Sequence, residues 1–319
     1  MYNLTIFNKT MKRFFVTIAT LAMAAAVAAA QDYNAAVDAF NAGAQALETN
    51  KVEALAQFRA ALAQAKECTE DEAVELVAKC QEAIPGTLFS IAKEQINEGS
   101  YDEAVATLAE VQSVAAEYGN EGIVEEAKEL VPNVYLRKGS TLLKAKDFDG
   151  AEAAFAQVTA LTPEDAQAFM LLGQARLQKG DIDNAIASLT RANELGEEKQ
   201  APKLLATSFL KKGQALLKEG KNAQAIEALE ASNKYQESAN AYKLMASAFT
   251  KSGKSAQAID AYKKYLQVAP DAKDAADIQF TIAATAQKAG DKATATEYYK
   301  KLAGTKYAKQ AEDQLKVLK

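Results

Sequence analysis

The stretch G-K-S-A-Q-A-I-D-A-Y-K-K-Y-L-Q-V-A-P, Gly253 to Pro270, reads as one amphipathic helix between two stops. Ala258, Ile259, Tyr262, Tyr265 and Leu266 recur at 3–4 spacing and form a single apolar stripe, with a glycine turn before it and a proline after it. The frame recurs along the chain. G-D-I-D-N-A-I-A-S-L-T-R-A from Gly180 and G-S-Y-D-E-A-V-A-T-L-A-E-V from Gly99 share a turn, a small residue five positions on and an apolar residue four after that. The same frame fits from Lys146, Gly220 and Gly290, and more loosely from Thr49. Marked by the recurrent alanine (Ala54, Ala104, Ala151, Ala185, Ala225, Ala258, Ala295), the seven copies are 50, 47, 34, 40, 33 and 37 residues apart. A repeat period in that range signals a solenoid.

Each marked helix follows another amphipathic segment. In Q-A-F-M-L-L-G-Q-A-R-L-Q-K-G, Phe169, Leu172, Gly173 and Arg176 precede the Gly180 turn, and Gly173 lets the two helices approach closely. Neither helix can bury its stripe alone, whereas stacked hairpins bury it against their neighbours. Composition agrees: 49% of residues are apolar, Gly (15) and Pro (5) are scarce, and good helix formers abound, so the expected fold is all-α.

These residues resemble the tetratricopeptide repeat family, whose 34-residue unit is a helix-turn-helix. In the copy containing Gly253, the family pattern is met by Tyr242, Met245, Ala246, Phe249, Ala258, Tyr262 and Pro270. Tyr265 stands where the family prefers a small residue. An earlier copy matches through Tyr135, Gly139, Leu142, Ala151, Phe155 and Pro163. The resemblance implies a right-handed α-solenoid of about seven hairpins across residues 31–319, with longer, irregular repeats in 31–131, regular ones in 132–303 and a capping helix from about residue 305. No Trp occurs, and three spacings reach 40 or more. Those spacings imply extended first helices, with Pro85 and Pro132 each 14 residues before a turn as starts or bends.

The resemblance also implies where a ligand would lie, because certain first-helix positions in this family face a concave groove. Carried over, they give Asn97, Lys144, Gln178, Lys218, Lys251 and Lys288 in one row, Phe89 and Lys243 among a second, and Lys93, Gln174, Gln214 and Ser247 among a third. Four lysines in a ladder suit an acidic peptide or a terminal carboxylate. A lysine in the last turn of a helix is also favoured by the helix dipole whatever the function, so both readings stand.

Charge is unevenly distributed. Residues 31–130 hold 20 acids and 6 bases, whereas residues 131–319 hold 22 acids and 28 bases. Opposite potentials on the two parts would orient an encounter with a charged partner. Solvated helix faces are the plainer explanation of the same numbers. The absence of His removes imidazole base chemistry, Ser-His-Asp and Cys-His systems and the commonest metal ligand. Acid pairs such as Glu125-Glu126 and Glu197-Glu198 are adjacent on a helix and diverge. Glycines such as Gly180, Gly220, Gly253 and Gly290 are explained by helix-hairpin turns, and no Gly-rich phosphate loop appears. No cofactor, metal site or catalysis is expected, and the acidic balance disfavours nucleic acid.

The run M-K-R-F-F-V-T-I-A-T-L-A-M-A-A-A-V-A-A-A from Met11 has a basic head, an apolar run and small residues at Ala28 and Ala30. That is the layout of a secretory signal peptide cleaved after Ala30, with Met1–Thr10 as an extension or upstream start. A periplasmic protein without a membrane span after cleavage is expected, secretion or tethering by an uncleaved segment being the alternatives. Cys68 and Cys80 are expected to be free or intermolecular thiols and not a disulfide with each other. A helix starting near Thr69 would separate them by roughly 18 Å, well beyond disulfide reach. The function expected from the resemblance is a non-catalytic scaffold or adaptor for envelope proteins or peptides, or a peptide-binding, chaperone-like module working through the groove.

Overall fold

The computed structural model describes residues 33–68 and 71–318, so the leader expectation lies outside the described residues, as does Thr69. Fifteen α-helices account for nearly all of what is described. They are α1 (Tyr33–Ala46), α2 (Lys51–Glu67), α3 (Asp71–Glu98), α4 (Tyr101–Glu117), α5 (Glu121–Lys144), α6 (Phe148–Leu161), α7 (Ala166–Lys179) and α8 (Ile182–Glu194). There follow α9 (Ala201–Lys218), α10 (Asn222–Tyr235), α11 (Ala239–Lys251), α12 (Ser255–Val268), α13 (Ala275–Lys288), α14 (Lys292–Lys300) and α15 (Ala308–Leu318). They pack as consecutive hairpins, α1 on α2 through α13 on α14, with α15 against α14.

The recurrent alanine is the hinge of the design. All seven marker alanines are 0% exposed, because each lies where the two helices of its hairpin cross. Opposite the crossing, the first helix carries Gly43, Gly139, Gly173 or Gly213, or else the fully buried Ala92, Ala246 or Ala283. A Cβ on Gly173 would lie 2.6 Å from Leu189 Cγ, and one on Gly139 would lie 2.6 Å from Phe155 Cε1. The large residue four positions after the marker therefore fills the space that glycine leaves.

Six of the hairpins turn through a left-handed residue that is not always glycine. Gly99, Gly180, Gly220, Gly253 and Gly290 occupy it in five, and Lys146 (φ 62°) in the sixth. There the turn closes with Lys146 N–H donating to Leu143 O and Asp147 N–H to Leu142 O, after which the Asp147 carboxylate caps α6 by accepting from Gly150 N–H.

Pro85 and Pro132 lie inside α3 (28 residues) and α5 (24 residues) and do not begin them, so these first helices are extended through their prolines. The described residues form two compact units, one up to Lys138 and the other from Gly139, with α5 contributing to both. The core of the first unit is built on Phe58, Ile84, Leu88, Leu108, Val111 and Val134. The second unit is held by Leu189 and Leu205 in its earlier hairpins and by Leu229, Ile282, Tyr299 and Leu302 in its later ones. Among the described residues no helix is long and apolar enough to cross a membrane.

Candidate protein-interaction site

In the first unit, α3 and α5 are the first helices of successive hairpins, and an open groove of about 540 Å³ runs between them. Its apolar floor is Ile96, Leu130, Val134 and Leu136, and its rim is Lys93, Asn97, Asn133 and Arg137. Two residues expected from the family pattern, Lys93 and Asn97, thus meet in one concavity. Asn133 and Arg137 complete it, although the sequence pattern did not single them out. Phe89, a turn before Lys93, is buried in the core, and the Lys93 ammonium lies 4.0 Å from its ring centroid. That contact positions the cation over an aromatic face and leaves Lys93 without a carboxylate partner among the described residues. The groove can therefore offer apolar contact, amide hydrogen bonds and positive charge to an extended segment.

The other expected positions lie in the second unit. Lys144, Lys218, Lys251 and Lys288 each sit in the last turn of a first helix, exposed and without an ion pair among the described residues. Gln178 is exposed in the last turn of α7, while Gln174, Gln214 and Ser247 are half-buried. Lys243 is differently placed: its ammonium is 2.5 Å from Asp274 Oδ2, at the start of the next first helix, and the Tyr265 hydroxyl donates to Asp274 Oδ1 at 2.5 Å. Lys243, then Tyr265, hold the Asp274 carboxyl below its usual range. Lys243 thus fastens successive hairpins together, and Tyr265, where the family prefers a small residue, is part of the same node.

Similar ties recur. Lys138 pairs with Asp102 and Lys212 with Asp183, in each case a lysine just before the close-approach glycine reaching back to an aspartate two residues before the previous marker alanine. Arg176 donates to Glu152 at 2.9 Å and to Ser188 at 2.6 Å, and Lys179 reaches both Glu152 and Asp149. Arg176 beside Glu152, with Lys179 adding to it, holds that carboxyl below the usual range. Lys138 and Lys212 stand in Lys-Gly dipeptides and Asp102 and Asp183 in matching frames, but nothing in the sequence says that they meet across hairpins.

Cys80 is a free thiol, and the Cys68 thiol donates to the Gln64 carbonyl at 3.4 Å. Cys80 is fully buried, and burial pushes its pKa up to about 11.

Paired antiparallel helices stacked in sequence order, with a small residue at each crossing, define a helical-repeat protein of the hairpin type. Within that class, the tetratricopeptide repeat family model matches residues 136–198 and 210–277 of the chain. Among solved structures the chain is similar to the MamA protein, 24% identical with a TM-score of 0.38 over 58% of this chain and 96% of that one. It is also similar to MamA of Desulfovibrio magneticus RS-1, at 19% identity and a TM-score of 0.35 over 54% of this chain and 92% of that one. PilW, a type IV pilus biogenesis factor, shows 19% identity and a TM-score of 0.31 over 69% of this chain and 92% of that one. No curated protein matches the chain.

Proposed function

We propose that the protein is a non-catalytic scaffold or adaptor of the bacterial envelope, which captures one or more proteins or peptides on the faces and ends of its first helices. The carrying observation is that unpaired cations recur on these helices, Lys93 at the α3–α5 groove and Lys144, Lys218, Lys251 and Lys288 at the ends of α5, α9, α11 and α13, with Gln178 in that place on α7. Most other cations at comparable positions, such as Lys138, Lys212 and Lys243, are consumed in ties between hairpins. The charged head, apolar run and Ala28-x-Ala30 pattern at the start of the sequence support export to the periplasm.

Affinity capture from the native envelope fraction tests this reading. The Lys218→Glu/Lys251→Glu/Lys288→Glu variant should lose partner protein while keeping its helical circular dichroism, and unchanged capture would remove the helix ends from the binding surface. Fractionation tests the placement independently, since co-purification with cytoplasmic markers would defeat export.

A second reading, a module for extended peptides, is favoured by the α3–α5 groove alone, where an apolar floor is rimmed by two amides and two cations. Lys93→Glu with Asn97→Ala should then abolish peptide binding without changing capture through the lysine ends.

A further inference from the structure

The first half of α5 carries Glu121, Glu125, Glu126 and Glu129, all exposed. At 100° per residue they span about 140° of the helix surface, while Ala127 is buried and Leu130 packs on the core from the other side. Lys128 neutralises Glu125 at 2.7 Å, but Glu121, Glu126 and Glu129 have no cationic partner among the described residues. Next to this face is a polar depression of about 420 Å³ lined by Gln81, Glu82, Asn120 and Glu121, with the α4–α5 turn as its wall. The Glu82 carboxylate is exposed and unpaired as well. Beneath it, the Gln81 carbonyl has lost its helical donor, because the residue four positions on is Pro85. The face and the depression offer several acceptors, and no base stands among them except Lys128.

The second unit presents the opposite chemistry. Residues 139–319 carry 26 bases and 22 acids, whereas residues 31–138 carry 20 acids and 8 bases. First helices α7, α9 and α11 adjoin in succession, so Lys218 and Lys251, closing α9 and α11, lie at the same end of neighbouring helices. Lys288 closes the first helix of the next hairpin. Each ammonium group lacks an ion pair among the described residues.

We propose that the glutamate face of α5 in one copy of the chain binds the lysine ends of α9, α11 and α13 in a second copy, so that the protein self-associates head to tail through ion pairs. The occupant is a second copy because one chain carries both an acidic face and a basic edge left unneutralised, and each is the complement of the other. The contact is heterologous, joining different surfaces of two identical chains, so it can repeat beyond a dimer. It shares the lysine ends with the function proposed above but does not depend on that reading's foreign partner.

Sedimentation velocity of the full chain tests it. The average mass should rise with concentration at about 0.05 M salt and fall back to monomer at about 0.5 M, where the Debye length is only a few ångströms. Glu121→Lys/Glu126→Lys/Glu129→Lys alone, and Lys218→Glu/Lys251→Glu/Lys288→Glu alone, should each weaken association by about tenfold or more. An equimolar mixture of the two variants should re-associate, because each then meets a complementary surface on the other. Circular dichroism checks that both variants fold, and a variant that did not would be replaced by the corresponding glutamines. A wild-type chain that stays monomeric at low salt, a glutamate-face variant that associates like wild type, or a mixture that does not recover would overturn the proposal. Foreign-partner capture by the glutamate-face variant keeps the two claims apart, since it retains the lysine ends and should capture as wild type does.

Discussion

Gly173 shows how strictly the hairpin crossing is specified. Its missing Cβ leaves room for Leu189, and a methyl group there would also press within 3.2 Å of the Ala185 carbonyl. Gly173→Ala should therefore destabilise the protein by about 1–3 kcal/mol in urea titration, although alanine serves at the same place in hairpins such as that of Ala246. Lys146 holds the opposite lesson. It alone among the described non-glycine residues has a positive φ, at a turn where five other hairpins use glycine. Lys146→Gly should raise stability by about 0.5–1 kcal/mol, the relief of left-handed strain exceeding the added freedom of the unfolded chain. Cys80 provides a chemical check. Fully buried and with its pKa pushed up to about 11, it should resist a disulfide-forming thiol reagent in the native protein and react once urea is added. A native rate for Cys80 as fast as its rate in urea would contradict the packing around α3.

The turns and the two long first helices were legible in the sequence for a local reason. A glycine, a small residue five positions on and a proline 14 residues upstream are constraints that one or two helices impose on themselves. The ties between hairpins were not legible. Lys138 with Asp102, and Arg176 with Glu152, join residues 36 and 24 positions apart, and whether they meet depends on the stagger between hairpins. That stagger also decided which expected groove residues remained open. Lys243 was absorbed by Asp274 and Phe89 by the core, whereas Lys93 and Asn97 met Asn133 and Arg137 in a real concavity. The Glu152 tie has a pH signature. Its carboxyl is held below the ordinary range by Arg176, so the stability it contributes is present above the unfolded carboxylate pKa and is lost as pH falls through the lower folded value. Near neutrality Glu152→Gln should cost about 1–2 kcal/mol, and the gap from wild type should close on acidification below about pH 4. A gap that did not change at all on acidification would assign the cost to packing instead of charge.

At the scale of the molecule, each hairpin buries the facing stripes of both its helices, and the C-terminal ends of first helices α5, α9, α11 and α13 carry the exposed cations Lys144, Lys218, Lys251 and Lys288. Partner capture on this first-helix side is the core of the proposed scaffold function. Lysine-reactive crosslinking in the native envelope fraction, read by mass spectrometry, tests it most directly. Crosslinks to partner chains should concentrate at Lys93, Lys144, Lys218, Lys251 and Lys288. Partner crosslinks concentrated instead at Lys234, Lys264 and Lys300, on the second helices α10, α12 and α14, would contradict it.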